Sequence, residues 1–196
     1  MRRSKEDTNE TIRLLIETAG QVFTRKGYAD AALEDIASEA QLTRGALYHH
    51  FGNKKGIFHA VLESVQKRIA ERILTESAQS DDVWKQLLLG CRAFVTAAVE
   101  PQHKRILLID GPAVFGWEVW RTMDSQNSVR LLHEQLQLLE REHILQPVSV
   151  DALTPVISGA LNEAALWIAQ QPDEKQALAD SMTAVSLMLN GFKRNV

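Results

Sequence analysis

The chain has 196 residues, 45% hydrophobic and 24% charged, with a formal net charge of −3. These values fit one globular domain, or a small domain joined to a larger one, and exclude a disordered or strongly basic chain. The polar start MRRSKEDTNE lacks the apolar core of a secretory signal, and no apolar run reaches the roughly 20 residues of a membrane span. A single cysteine, Cys91, rules out an intrachain disulfide framework, so a cytoplasmic protein is expected.

Ten glycines and five prolines are few for this length, and helical periodicity starts at once. Ile12, Leu15, Ile16, Ala19, Val22 and Phe23 form one apolar stripe. Asp7 with Glu10 is a candidate capping box, and Gly27 supplies a left-handed stop. A short second helix carries Leu33, Ile36, Ala37 and Ala40 on one face. Thr43 then caps a third helix, with Leu47 and Phe51 inward. Asn53 caps a fourth helix that runs to about Ser77, about 35 Å at 1.5 Å per residue.

Beyond the polar gap SAQSDD, helices are expected over 82–100, 104–110, 117–143, 149–170 and 173–190, each bounded by proline, glycine or polar residues. No segment sustains a period of two. The expected fold is all-α with about nine helices. A three-helix helix-turn-helix head occupies residues 1–52, and a larger helical body occupies 53–196, entered through a long connecting helix at about 53–77.

The third helix carries the functional signal. In LTRGALYHHFGNKKGIF, Gly45, Ala46 and His49 point outward, Tyr48 and His50 flank them, and Arg44 can swing outward from the first turn. A Gly/Ala front lets a helix sink into a groove, and the major groove of B-DNA, about 12 Å wide, admits one helix. The surrounding hydroxyl, imidazole and guanidinium groups suit phosphates and base edges. Lys54 and Lys55 begin the next helix, where cations oppose the helix dipole at roughly 0.3–1 kcal/mol each; a bound phosphate would offset that cost. Residues 1–55 hold nine Lys or Arg against eight Asp or Glu, so any grip on a polyanion depends on local placement.

IETAGQVFTRKGY followed by LEDIASEAQLTRGALYHHFGNKKGIF resembles the DNA-binding head of the tetracycline-repressor (TetR) family, over about Ile12 to Phe58. RILLIDGPAVFGW and GALNEAALWIA resemble body segments of some members. The resemblance implies a homodimeric repressor that binds a palindromic operator in double-stranded DNA and releases it when a small-molecule effector enters the body. It places Thr43, Arg44 and Gly45 nearest the bases, and Tyr48, His49, His50 and Lys54 on phosphates. Two positions depart from the pattern. Gln41 stands where the turn usually has glycine, and Ala31-Ala32 stand before the second helix, leaving Asp30 as the nearby cap.

Candidates for the effector pocket are Phe94, Phe115, Trp117, Trp120, Met123, Asn162 and Trp167, with His103 and His133 as polar anchors. Core packing is the competing reading for each aromatic. The last two helices are unusually apolar, and Ile157, Ala160, Leu161, Ala164, Val185, Met188 and Leu189 are expected at a four-helix dimer seam. The competing reading gives that surface to the body's own core. His49, His50 and His59 lack metal-ligand spacing, and no nucleophile elbow, phosphate-binding glycine loop or HExxH pattern is present, so no metal, cofactor or enzymatic activity is expected. The alternative function is a helical protein-interaction adaptor that does not bind DNA.

Overall fold

The apolar stripe of the first helix is what gathers the amino-terminal residues: Leu15, Ala19, Val22 and Phe23 are fully buried, and each larger side chain so placed contributes about 1.5–3 kcal/mol. The computed structural model describes residues 5–194. Helix α1 spans Lys5–Asp30, so Asp7 and Glu10 lie inside it; the expected capping box rests on the Asp7 side chain, which lies outside those described. Gly27 has the expected positive φ of 78°, but its ψ of 168° is extended. This combination is open essentially to glycine alone, and it kinks α1 before one further turn.

Helices α2 (Leu33–Glu39) and α3 (Arg44–Phe51) follow. Asp30 does not cap α2. Ala32 occupies the cap position, and Asp35 accepts its N–H from within the helix at 3.3 Å. Between α2 and α3, Gln41 takes the glycine-like conformation, φ 55°. Leu42 N–H bonds Ala37 O and Gln41 N–H bonds Ser38 O, a paired closure of the helix end. Between α3 and α4 (Lys54–Ser77), Gly52 sits at φ 74°, ψ −45°, and Asn53 N–H bonds Phe51 O at 2.8 Å across it. Asn53 Oδ1 accepts Gly56 N–H at 2.9 Å, the expected cap of the long helix.

The remainder divides more finely than periodicity suggests. Helix α5 (Val83–Ala98) is capped by Asp82. Pro101 starts α6 (Pro101–Lys104), which leads into a π-helical stretch, Arg105–Asp110, and then α7 (Gly111–Phe115). Pro112 has no N–H to give Leu108, and Gly111 N–H reaches Ile106 O instead. The helix expected over 117–143 is broken into α8 (Trp117–Ser125) and α9 (Ser128–Arg141). Ser125 Oγ donates to Thr122 O at 2.7 Å and Asn127 Nδ2 donates to Met123 O at 3.0 Å, side-chain bonds that compete with the helical backbone. Helices α10 (Val150–Ile168) and α11 (Glu174–Asn190) complete the chain. No strand forms among the described residues, and no helix of the described residues is long and apolar enough to cross a membrane.

Two compact units result: residues 1–65 with 101–117, and residues 66–100 with 118–196. This grouping differs from a division at residue 52. The first turns of α4 pack with the head through Ile57, Phe58, Val61 and Leu62, all buried. The segment 101–117 also belongs to the head unit, because α6 and the π-helical stretch pack on α1. In the second unit α9 and α10 pack together and both pack on α5, with α11 against α10 and α5.

The α3–α4 corner has one residue without room for a side chain. A β-carbon on Gly56 would lie 2.0 Å from Phe51 O, a backbone atom. Gly56→Ala is expected to lower stability by about 1–3 kcal/mol, read as a reduced urea midpoint with an unchanged slope.

Candidate nucleic-acid interface

Helix α3 is eight residues long and only Leu47 is fully buried. Its N-cap, Thr43, accepts Ala46 N–H at 3.1 Å through its side-chain oxygen. Thr43, Arg44, Gly45, Tyr48 and His49 are exposed, while Ala46, His50 and Phe51 are half-buried. The outer face is open at its centre: a β-carbon on Gly45 would meet only Thr43 Oγ1, at 3.8 Å. Arg44 swings outward, held by Glu34 of α2 at 2.7 Å and by a 3.1 Å bond to the Tyr48 hydroxyl, with its guanidinium 5.2 Å from the Tyr48 ring centre. The His49 and His50 rings meet edge-on at 5.1 Å.

Lys54 is half-buried. Its ammonium donates to Ala29 O at 2.9 Å and lies 4.7 Å from the Tyr28 ring centre. The cost of a cation in the first turn of α4 is therefore offset inside the protein, by a carbonyl at the end of α1 and an aromatic face. Lys55 remains exposed, with its ammonium 5.3 Å from the Phe115 ring. On the neighbouring α2, Lys26 and the Ala32 N–H hold the Asp35 carboxyl below its ordinary pKa. Sequence reading missed Glu34 as the partner of Arg44, and no spacing rule links two residues of different helices. The glycine pair flanking NKK was the available signal for the tight corner.

The second unit contains a cavity of about 250 Å³, walled by the C-terminal half of α4 and by α5, α8, α9 and α10. Leu87, Cys91 and Phe94 line it from α5, and Leu131, Gln135 and Leu138 from α9. Of the pocket candidates, Phe94 alone is in this wall. Phe115 stacks on Phe58 in the first unit, centroids 5.7 Å apart and planes at 4°. His103 is buried in α6, and Trp120 is buried in the second unit without reaching the cavity. Trp117 and Trp167 are exposed, and Met123 is half-buried beside the lining residue Asp124. His133 bonds Thr154 Oγ1 at 3.1 Å, and Asn162 Nδ2 donates to Ser158 O at 3.1 Å. Residue type and periodicity identified an inward face, but which side of each helix meets empty space depends on packing.

The family model described as bacterial regulatory proteins, tetR family, matches residues 15–61, and that described as tetracyclin repressor-like, C-terminal domain, matches 84–192. The chain belongs to the TetR family. Its relatives include the HTH-type transcriptional regulator TtgR of Pseudomonas putida, 39% identical over 192 residues and covering 80% of this chain and 90% of that protein. AcrR of Shigella flexneri is 32% identical over 110 residues, covering 56% of this chain and 51% of that protein. A TetR-family regulator from Pectobacterium atrosepticum has the same fold in its crystal structure, with a TM-score of 0.83, 36% identity and coverage of 98% and 99%. TetR-family regulators are DNA-binding, ligand-responsive repressors, and this chain is a transcriptional regulator of that kind. The adaptor alternative is not favoured.

TetR-family regulators act as dimers, and the residues expected at a seam on α10 and α11 differ in how far the single chain already covers them. Ile157, Leu161, Val185 and Leu189 are buried within the single chain, and Ala160, Ala164 and Met188 are half-buried. The outward stripe on α10 is Val156, Gly159, Glu163 and Trp167, and on α11 it is Ala184 and Leu187. The body's own core takes the most apolar line of each helix.

Two substitutions separate fold from interface. Gly45→Ala is expected to raise stability by about 0.5–1 kcal/mol through helix propensity while weakening duplex binding at least about fivefold, because its methyl fills the open face. Glu34→Gln removes an exposed ion pair worth about 0.2–1 kcal/mol and frees Arg44, so a titration should show affinity for DNA rising by up to about fivefold.

Proposed function

We propose that two copies of the chain join through α10 and α11, place their α3 helices in successive major grooves of a palindromic operator, and act as a repressor in the bacterial cytoplasm. A small molecule entering the second unit's cavity releases the operator. The carrying observation is the exposed face of α3, whose small centre is bordered by Thr43, Arg44, Tyr48, His49 and His50. Thr43, Arg44 and Gly45 are the base-facing residues in this reading. Tyr48, His49 and His50 meet phosphates, and Lys54 contributes chiefly by fixing the start of α4, with Lys55 as the freer cation.

The geometry supports a dimer through simple burial. Leu187 is 69% exposed, Val156 58% and Trp167 45%, which is much apolar surface on two adjacent helices. A β-carbon on Gly159 would meet nothing within 4 Å, so another helix can approach closely there. A two-fold dimer would set the α3 helices about 34–36 Å apart on one face of DNA. A ligand that prefers a different spacing would lower affinity at both half-sites.

Selection of bound sequences from a random duplex pool should return a two-fold symmetric site, with affinity falling steeply as salt rises. An asymmetric or absent consensus contradicts the reading. Leu187→Glu is expected to yield monomers in sedimentation and to lose tight operator binding while α3 is unchanged. A dimer that persists in that variant removes α11 from the proposed interface.

A further inference from the structure

The polar groups around the second unit's cavity are unequally engaged. The donors of its walls are largely taken up by the protein itself. Ser128 Oγ donates to Asp124 Oδ1 at 2.7 Å, and Ser77 Oγ donates to Gln86 O at 3.2 Å. Gln86 Nε2 donates to Ser80 O at 2.9 Å, and Gln135 Nε2 donates to Val83 O at 2.9 Å and to Gln86 Oε1 at 3.2 Å. Those carbonyl partners fix the direction of both amides, since turning either round would set oxygen against oxygen. Among the amide and buried carboxylate oxygens of the lining, this leaves the second oxygen of Asp124 and Oε1 of Gln135 without a donor.

Asp124 is 4% exposed, and its burial raises its pKa against the opposing effects of Ser128 and the Arg121 charge. A carboxylate in this position is short of partners. Cys91 adds no competing charge, because burial pushes its thiol up to about 12. The lining charges Glu134 and Arg141 are exposed, with Glu134 paired to Arg130 at 2.7 Å, and Ser158 is half-buried on α10. A volume of about 250 Å³ exceeds the roughly 150 Å³ that holds a benzene ring, which sets the size at one or two rings.

We propose that this cavity receives a compact, largely apolar organic cation, a protonated amine carried on one or two rings, whose N–H groups donate to Asp124 and to Oε1 of Gln135. The inference rests on the reading of the cavity as the effector site and supplies its ligand chemistry. Anions of the same shape are disfavoured, since they would set negative charge against two acceptors.

The test uses the full chain and three probes of similar shape: 2-phenylethylamine, 2-phenylethanol and 3-phenylpropionate. Calorimetric titration should rank amine over alcohol over carboxylate, with the amine at least about tenfold tighter than the carboxylate. Asp124→Asn keeps an oxygen for Ser128, and it should cost the amine about tenfold while moving the alcohol less than about threefold. Equal or tighter binding of the carboxylate overturns the proposal, as does unchanged amine affinity in Asp124→Asn or no binding by any probe at millimolar concentration. The wild-type ranking stands as a test even if the variant fails to fold. Release from the selected operator is measured separately. An amine that binds with the stated preference but leaves the DNA complex intact supports the ligand chemistry and removes the effector role. A carboxylate that binds and releases DNA keeps that role and overturns the chemistry.

Discussion

A recognition helix with a single fully buried side chain cannot hold its own position, and the structure of the head follows from that constraint. An eight-residue helix is too short to be stable alone, and Leu47 is its one complete anchor. Its ends supply the rest. At one end Gln41 accepts a left-handed conformation so that Leu42 can close α2. At the other, Gly52 reverses the chain, Asn53 caps α4, and Gly56 makes room for the Phe51 carbonyl. The outer face can then be given over to small and polar residues, because stability is drawn from the corners and not from that face.

The same economy of placement governs charge. Lys54 is held by Ala29 O and Tyr28, which ties the start of α4 to the end of α1. The end of α1 is itself held by a distant part of the chain. Asp110 accepts Tyr28 N–H at 2.9 Å just after the Gly27 kink, and the Arg105 guanidinium occupies the space a side chain at Gly27 would need. Phe23, Tyr28, Phe58 and Phe115 add a chain of ring contacts. The head unit therefore includes a segment that follows α5 and precedes α8 in the chain.

In the second unit, each of the last two helices serves two surfaces. The inner line of α10, with Leu153, Ile157, Leu161, Ala165 and Ile168, closes the core. Its outer line carries Gly159 and Trp167. Apolar character alone does not distinguish those uses, since both lines share it. The polar residues matter more for specificity: Asp124, Ser128, Gln86 and Gln135 gather around one cavity from three helices, with the Asp124–Ser128 hydrogen bond spanning the α8–α9 break.

Helix class, the head's three-helix order, the caps at Thr43 and Asn53, and the outward face of α3 were legible from the sequence, because each depends on neighbours within about one helical turn. The strained turn at Gln41 was legible too, as a residue without glycine's freedom in a place that needs it. Tertiary structure alone decided that Glu34 holds Arg44, that Lys54 serves the end of α1, that Phe115 belongs with the head, and which line of α10 faces outward. Those outcomes depend on contacts between residues far apart in the chain, where periodicity specifies a buried face but not what it is buried against.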